Sequence, residues 1–374
     1  MKIATIKETA NYETRVSISP ESSKLLRNNG FDVCIEKDAG LLSDFTNEAY
    51  LNFAHISSVP LEILADSNII TKVQPPEISG KHNESEFAKS GSIIIGFMNP
   101  YQNKEMIKFY ANKKITLLAM ELVPRITKAQ SFDALSSQAN LNGYRAVIEA
   151  ASLLKSAFPM LMTAAGSITP AKVLILGAGV AGLQAIATAK RLGAIVTAYD
   201  VRAAAKEQVE SLGAKFVHPD VSVDFSAKTG YASEVSGEFA ARQEDMLLNI
   251  IDKFNIVITT AQIPGKKAPK LITKDMVEKM RYGSVIIDLA ADSGGNCEVT
   301  SKLKIIEHKG VQVAGFSNYY NKVSNDASRL YSKNIANLIL YLFKDKSELD
   351  LSDEIVKSMI LTHNGEILFN EANV

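Results

Sequence analysis

The chain has 374 residues, more than one ordinary hydrophobic core needs, so its length indicates two domains. Apolar residues make up 46% of the sequence and charged residues 22%, which is typical of a soluble globular protein. Lys and Arg together number 41, as do Asp and Glu, so nothing in the net charge argues for nucleic acid or an anionic membrane surface as a partner.

The two cysteines, Cys34 and Cys297, form no CxxC pair, which disfavours a disulfide framework and a zinc site and favours a reducing, cytoplasmic setting. Charged side chains occur too early in the chain for an apolar signal sequence. No apolar run approaches the ~20 residues that cross a bilayer. We therefore expect a soluble chain, which can still dock on a membrane partner.

The N-terminal third of the chain alternates short strands with helices, a pattern that implies a parallel sheet. A helix is predicted over residues 20–28, because Ser19 precedes it, Pro20 takes its first position and Gly30 lies just past its end. Strands are predicted over residues 2–6, 31–36, 68–73, 92–97 and 115–120.

A long helical stretch over residues 131–158 is predicted to connect this region to a second alternating set. That set contains about six strands with interleaved helices, as a doubly wound fold requires. Its strands are predicted over residues 172–176, 195–199, 214–217, 255–261, 284–289 and 311–315. A last helix, residues 326–343, is expected to return to the first domain.

The predicted fold class is therefore α/β, with two Rossmann-like domains built on parallel sheets, a cleft between them and long connecting helices. The N-terminal domain is expected to comprise residues 1–137 and 318–374, completed by the C-terminal helix. The second domain, residues 138–317, is expected to bind a dinucleotide.

The dinucleotide prediction depends on the turn Gly177-Ala178-Gly179-Val180-Ala181-Gly182, which follows a strand and opens a helix. Its glycines permit a tight turn, close approach of a pyrophosphate and close helix packing, and the helix N-terminus attracts phosphate. Asp200 ends the next strand, where it can accept a hydrogen bond from a ribose 2′-OH. Asp200 favours NAD over NADP, although Arg202 nearby could hold a 2′-phosphate. The alternative is a Gly-rich turn without a ligand.

Metal and acyl-transfer chemistry have no support in the sequence. The five histidines (His55, His82, His218, His308 and His363) do not stand at metal-ligand spacing, and no GxSxG, HExxH or P-loop occurs. We expect no metal site, and structural or surface roles for the histidines.

Two segments permit two interpretations each. Residues 125–138 are polar, and on the residues alone we slightly favour a helix start with Thr127 or Ser131 as its cap and Asp133 in the first turn. Residues 218–242 lack periodicity between 221 and 237, which indicates either a binding loop or lid, or a disordered insertion.

Several of these motifs together resemble a known family. The chain resembles, over essentially its whole length, the NAD(H)-binding first domain of the alpha subunit of proton-translocating NAD(P) transhydrogenase, and the related alanine dehydrogenases. The motifs that carry the resemblance lie at residues 125–146, 158–160, 163–166, 177–188, 199–202, 204–208, 230–232, 258–265 and 288–296.

The resemblance implies specific site residues and replaces the simple cap interpretation of residues 125–138. The residues implied to surround the nicotinamide as the catalytic set are Arg125, Gln130, Asp133 and Ser136. Tyr231, beside Gly230, is implied to lie on a mobile loop that closes over the nucleotide. Further implied nucleotide contacts are Ile126, Thr127, Lys128, Gly177, Ala178, Gly179, Val180, Gly182, Asp200, Val201, Arg202, Gln243 and Gln262. Gln262 departs from the family pattern, which has an apolar residue there.

A missing histidine separates the two branches of this resemblance. An amino-acid dehydrogenase moves protons as well as hydride, and alanine dehydrogenases carry a histidine after the strand that matches residues 92–97. In this chain that strand runs into Met98-Asn99-Pro100-Tyr101. Direct hydride transfer between nicotinamides needs apposition and excluded water rather than a proton. Against this, Arg15, Lys72 and Asp292 match substrate positions of alanine dehydrogenases.

The resemblance therefore implies that this chain binds NAD(H) and passes hydride directly to or from NADP(H) on a beta-subunit domain, coupled to proton translocation. It implies a homodimer, cytoplasmic and peripheral on the inner membrane through separate membrane alpha-2 and beta subunits, because the chain ends at Val374 without transmembrane helices. The alternatives are an alanine dehydrogenase-like enzyme and a non-catalytic NADH-binding module.

Overall fold

The computed structural model describes residues 1–79, 87–219, 237–263, 265–344 and 348–369. It divides into two compact units: residues 1–138 with 321–374 form unit 1, and residues 139–320 form unit 2. The predicted domain boundaries, at 137/138 and 317/318, and the predicted cleft remain predictions.

Strands and helices alternate along most of the chain. The strands are β1 (Lys2–Thr5), β2 (Asp32–Glu36), β3 (His55–Ser57), β4 (Ile69–Thr71), β5 (Ile93–Gly96), β6 (Thr116–Ala119), β7 (Leu161–Thr163), β8 (Gly166–Ile168), β9 (Lys172–Leu176), β10 (Ile195–Tyr199), β11 (Lys215–Val217), β12 (Ile256–Thr259), β13 (Val285–Asp288), β14 (Ile305–His308), β15 (Val311–Ala314), β16 (Ile360–His363) and β17 (Glu366–Ile367). The helices are α1 (Pro20–Asn28), α2 (Asn47–Tyr50), α3 (Pro60–Asp66), α4 (Lys104–Asn112), α5 (Ala134–Leu153), α6 (Val180–Arg191), α7 (Ala205–Ser211), α8 (Gly237–Leu248), α9 (Lys274–Lys279), α10 (Ser324–Phe343) and α11 (Glu354–Met359).

Unit 1 contains an eight-stranded sheet in the order β17-β16-β6-β5-β4-β1-β2-β3. The six strands from β3 to β6 are parallel and follow the doubly wound order 3-2-1-4-5-6. Side chains alternate between two buried clusters, with Ile3 and Ile69 in one and Ala4 and Ile70 in the other. Both faces of the sheet are therefore covered, which explains the nearly continuous apolar strands.

Unit 2 contains a seven-stranded sheet in the order β11-β10-β9-β12-β13-β15-β14, whose parallel strands again follow the doubly wound order. Val173 and Ile175 lie in one buried cluster, and Leu174 and Leu176 in the other. The predicted α/β class is confirmed. This order places the β9–α6 turn near the centre of the sheet, at its carboxyl edge.

Both sheets also carry antiparallel edge strands in addition to the predicted parallel strands. β16 pairs antiparallel with β6 and β17, and β14 pairs antiparallel with β15. The hairpins turn at Asn364-Gly365 and Lys309-Gly310, where all four residues have positive φ. Such two-residue turns match the twist of the paired strands. The Asn-Gly pair was a usable sequence signal for the first hairpin.

The predicted helix over residues 131–158 is shorter in the structure. The first two residues of the predicted helix belong to a 3-10 helix, Thr127–Phe132. The α-helix α5 begins only at Ala134. After α5, the chain forms the two-stranded hairpin β7–β8. Met160, directly before β7, is 61% exposed, and Met162 in β7 is 84% exposed.

Candidate functional site

The turn that joins β9 to α6 in unit 2 needs glycine at two positions. Gly177 has a φ of +99°, and a Cβ atom there would lie 2.6 Å from Thr260 Oγ1. A Cβ atom at Gly182 would lie 1.8 Å from the carbonyl oxygen of Gly177. Helix α5 packs against the same place, because a Cβ atom at Gly143 would lie 2.1 Å from the carbonyl oxygen of Ala181. These glycines let the helix, strand and turn approach each other closely.

Gly179 has a different environment from Gly177 and Gly182. It directly precedes the twelve-residue helix α6, its φ is −77°, and a Cβ atom there would meet no atom of the described residues within 4 Å. The first N–H groups of a helix carry partial positive charge and lack intrahelical partners. The backbone at Gly179 therefore faces open space in which a phosphate could approach these N–H groups.

Asp200 is 5% exposed, and its carboxylate already accepts four hydrogen bonds. Oδ2 accepts from the N–H of Ala178 at 2.7 Å and from Nη2 of Arg202 at 2.9 Å. Oδ1 accepts from the N–H and Nε of Arg202, both at 2.9 Å. A carboxylate offers about four acceptor positions, so Arg202 must yield one of them before a ribose hydroxyl can bind Asp200.

Other predicted contact residues in unit 2 also have protein partners. The buried Gln243 on α8 accepts a 2.6 Å hydrogen bond from the hydroxyl of Tyr199, and Nε2 of the exposed Gln262 donates to the carbonyl oxygen of Leu289 at 3.0 Å. Val201 is partly buried, and its carbonyl oxygen lies 3.3 Å from Nε2 of His218. Gly230 and Tyr231 lie outside the described residues, as does the whole range 220–236.

Two buried polar residues, Asp288 and Asn296, fix the loops at the carboxyl ends of β12 and β13. Asp288 accepts from the hydroxyls of Thr259 (3.0 Å) and Thr300 (2.6 Å). Asn296 donates to the carbonyl oxygen of Ala261 at 2.9 Å and accepts from its N–H at 3.1 Å. The sequence motifs contained both residues, but only their burial identifies them as residues that position these loops.

The predicted nicotinamide segment lies in unit 1, on the 3-10 helix and the start of α5. Arg125, Thr127 and Gln130 are exposed and Ile126 is partly buried, whereas Ala129 and Phe132 anchor the segment in the core. Asp133 directly precedes α5, where its carboxylate accepts from the N–H of Ser136 at 2.9 Å and from its hydroxyl at 2.6 Å.

The helix cap therefore differs from the expectation based on the residues alone. Thr127 and Ser131 lie within the 3-10 helix, and Asp133 is the capping residue rather than a residue of the first turn. The segment is helical from residue 127 but changes from 3-10 to α geometry at Asp133, so the cap belongs to the second element.

Lys128 lies on the same 3-10 helix, with Nζ 3.6 Å from Oδ2 of Asp353 and 4.8 Å from the ring centre of Tyr341.

Arg15 and Lys72, which match substrate positions of alanine dehydrogenases, are buried ion-pair partners. Nε and Nη2 of Arg15 donate to Glu13 at 2.8 and 2.6 Å, and Nζ of Lys72 lies 3.4 Å from Oε2 of Glu8. Burial alone would raise the pKa of Glu13, but Arg15 holds it below its ordinary value. Burial raises the pKa of Glu8 despite Lys72. Asp292, in unit 2, pairs with Lys302 at 2.8 Å.

The segment after β5, where alanine dehydrogenases carry a histidine, is held by a carboxylate. Glu121 accepts from the N–H of Met98 at 2.8 Å and also from that of Asn99, whose φ is +46°. Burial raises the pKa of Glu121 to about 7, although these N–H groups lower it.

The four described histidines lie elsewhere, in contact with other side chains. His218 stacks on Tyr199 and Phe216, His308 contacts Glu278, His363 contacts Thr116 and His55 lies 3.5 Å from Asp32.

We expect Glu121→Gln to change how stability depends on pH. Because the pKa of Glu121 is about 7 in the folded chain and near 4.5 when unfolded, its ionisation costs more in the folded state, and stability falls as pH rises from about 4.5 to 7. The variant lacks this ionisation. Its unfolding free energy relative to the original chain should therefore increase by about 1–3 kcal/mol as pH rises across that range. Urea unfolding at pH 5 and pH 8 measures the difference. An equal difference at both pH values would contradict this pKa.

None of the helices within the described ranges combines the length and apolarity needed to cross a membrane. Likewise, the portion of the chain that the structure describes contains no group of three or more His, Cys, Asp and Glu residues that could hold a metal ion.

Comparison with known proteins identifies the family. A family profile described as "Alanine dehydrogenase/PNT, N-terminal domain" matches residues 4–142, and its "C-terminal domain" counterpart matches residues 146–370. A protein from Rickettsia prowazekii (strain Madrid E), named as the first portion of NAD(P) transhydrogenase subunit alpha, is 54% identical over 369 residues, covering 98% of this chain and 96% of the relative.

A protein of the same name from Rhodospirillum rubrum is 47% identical over 376 residues, covering 98% of both chains. The crystal structure of transhydrogenase from Sinorhizobium meliloti is 41% identical, covers 98% of both chains and superposes with a TM-score of 0.85. The resemblance drawn from the sequence motifs is confirmed. The chain therefore belongs to the alanine dehydrogenase/PNT family, and within it to the NAD(P) transhydrogenase alpha subunits.

Proposed function

We propose that this chain is the NAD(H)-binding subunit of a proton-translocating transhydrogenase, in which NADH on this subunit gives a hydride directly to NADP⁺ on the beta subunit. The observation that carries the proposal is the open backbone at Gly179 before α6, in a chain whose relatives are named as transhydrogenase alpha subunits. Membership of the family does not by itself distinguish direct hydride transfer between nucleotides from other nicotinamide chemistry. The proposal of direct transfer therefore depends on the site residues.

In unit 2 we assign the turn at residues 177–182 and the residues Asp200, Val201 and Arg202 to the adenosine and pyrophosphate moieties of the nucleotide. The close contacts of Gly177 and Gly182 keep the turn rigid, and Gly179 leaves space for a phosphate. The Asp200 carboxylate disfavours a 2′-phosphate and so favours NAD(H). We also keep Gly230, Tyr231, Gln243 and Gln262 as proposed contacts. The last two then have to exchange or share their present partners, Tyr199 and Leu289.

In unit 1 we assign Arg125, Gln130, Asp133 and Ser136 to the nicotinamide end, together with Ile126, Thr127 and Lys128. The paired hydrogen bonds of Asp133 and Ser136 fix the orientation of both side chains. NADH supplies the hydride, and the side chains orient the ring and exclude water. Neither nicotinamide needs a proton for this reaction, so side chains that position the ring suffice.

Hydride transfer with the partner domain tests this proposal. The purified chain is mixed with the NADP(H)-binding domain of the beta subunit, NADH deuterated at C4 and NADP⁺, and deuterated NADPH is measured by mass spectrometry. We expect label transfer only when both proteins are present. An absence of transfer with both proteins present would refute the proposed function.

The same preparation tests the two alternatives. An alanine dehydrogenase-like enzyme would reduce NAD⁺ with L-alanine without any partner. The ion pairs of Arg15 with Glu13 and of Lys72 with Glu8 argue against that activity, because these cations already have anionic partners. A non-catalytic NADH-binding module would bind NADH and give no transfer.

We further propose a cytoplasmic homodimer that is peripheral on the inner membrane through its partners, the membrane alpha-2 and beta subunits. The exposed apolar side chains in and directly before the β7–β8 hairpin support a dimer contact there, because it is unfavourable for Met160, Leu161, Met162 and Ile168 to be exposed together in water.

We expect Met162→Asp to weaken the dimer by roughly 10-fold or more in dissociation constant, because a buried unpaired carboxylate is unfavourable at an interface. Sedimentation equilibrium measures the constant. Tyr282→Asp is the matched control, since Tyr282 is 85% exposed and lies outside the hairpin. Equal dissociation constants for the two variants would contradict a dimer contact at the hairpin.

A further inference from the structure

Asn334 on α10 holds the junction between the 3-10 helix at residues 127–132 and helix α5. Its Nδ2 donates to the carbonyl oxygen of Ser131 at 2.8 Å, and its Oδ1 accepts from the hydroxyl of Ser137 at 2.8 Å. The orientation of the amide is fixed chemically, because a carbonyl oxygen can only accept. Asn334 is 8% exposed, so water does not easily replace either bond.

The hydrogen bonds continue from this junction into the buried ion pairs of unit 1. Nε2 of Gln138 donates to the hydroxyl of Ser137 at 3.3 Å, and Oε1 of Gln138 accepts from Nη1 of Arg15 at 2.9 Å. Arg15 is in turn held by Glu13 through two bonds. Gln138 and Arg15 are 4% and 2% exposed. A buried polar network in which each member has partners gives its residues one defined arrangement.

We propose that Asn334 is a positioning residue for hydride transfer, acting through the two hydrogen bonds with which it fixes Ser131 and Ser137. Ser131 directly follows Gln130, and the two bonded positions enclose the cap Asp133. A shift of this junction therefore moves the side chains that we assign to the nicotinamide. This inference rests on the proposed function, since it concerns the rate of the proposed reaction.

The sensitivity of the reaction to position makes this role measurable. A displacement of about 1 Å in a reacting group can reduce a rate by roughly 100-fold. Affinity is expected to respond much less, because the turn at residues 177–182, in the other unit, carries the proposed phosphate contacts. A residue that only stabilises the fold would instead lower the amount of active protein and would change apparent rate and binding capacity together.

The test uses Asn334→Asp in the complete chain, mixed with the NADP(H)-binding domain of the beta subunit. The introduced carboxylate can still accept from Ser137 but opposes the carbonyl oxygen of Ser131. We expect a hydride-transfer rate at saturating NADH at least about 10-fold lower, with the NADH dissociation constant within about twofold. Rescue of the rate at low pH, where the protonated carboxyl can donate a hydrogen bond to the carbonyl oxygen of Ser131, would support the role further.

Two further variants make the result interpretable. Ser137→Ala leaves the bond from Asn334 to Ser131 in place and removes the bonds of the Ser137 hydroxyl with Asn334 and Gln138, so it should show the same separation of rate from affinity with a smaller effect. Asn337→Asp, at a partly exposed position later in α10, is the matched control and should behave as the original chain. Transfer rates for Asn334→Asp equal to those of Asn337→Asp, or a loss of rate in proportion to the loss of NADH-binding capacity, would overturn the inference. An original chain without transfer would instead refute the proposed function itself.

Discussion

Replacing Gly179 with alanine is expected to weaken NADH binding by about 10- to 100-fold while leaving the unfolding free energy unchanged. Among the residues that the structure describes, none has an atom within 4 Å of a methyl group at this position, and its φ of −77° suits alanine. An approaching pyrophosphate would meet the methyl group. Losing one charge-assisted hydrogen bond costs about 1.5–3 kcal/mol, which corresponds to this range of affinity.

Gly182→Ala provides the contrast within the same turn. Its Cβ would lie 1.8 Å from the Gly177 carbonyl oxygen, so the helix and turn must move apart and the fold loses stability. The matched control is Gly237→Ala, where a Cβ also meets no described residue within 4 Å. NADH titration and urea unfolding separate the two effects. An unchanged NADH dissociation constant in Gly179→Ala would show that the pyrophosphate does not approach this glycine.

The parallel core of each unit was predictable because its strands are apolar runs between turn residues. The bounds predicted for β9 and β10, residues 172–176 and 195–199, are those of the structure. Edge strands were missed because they carry less apolar sequence. In β14, Ile305–His308, exposed and partly buried residues alternate, so its two isoleucines do not form the fully buried apolar run that marks the central strands. Its turn, Lys309-Gly310, lacks the Asn or Asp that marks such hairpins in sequence.

The candidate site was predictable only where its residues lie at fixed spacings within one local segment of the sequence. The glycines of the turn at 177–182 and the acid at the end of β10 have fixed spacings that follow from the fold. The pairing of Asp200 with Arg202 was not predictable, because both paired and unpaired arrangements fit the same residues. Asn334 lies 203 positions from Ser131, so no local pattern indicates their contact.

Gln130→Asn is expected to slow hydride transfer by about 10- to 100-fold and to leave the NADH dissociation constant within about twofold. The amide is retained, but the side chain is shorter by one methylene group. Gln130 is exposed, and its 3-10 helix is anchored by the buried Ala129 and Phe132, so the substitution leaves the fold intact. The proposed role of Gln130 is to position the nicotinamide, and positioning is lost before affinity.

The measurement is single-turnover transfer from deuterated NADH in the presence of the NADP(H)-binding domain, together with an NADH titration of the chain alone. Ser131→Ala is the matched control, because Ser131 is the exposed neighbour whose carbonyl oxygen, rather than its side chain, contacts Asn334. A rate in Gln130→Asn equal to that of the control would remove Gln130 from the catalytic set. Since Gln130 and Asn334 act on the same group in this scheme, the double variant should lose less rate than the product of the single effects, whereas independent roles would multiply.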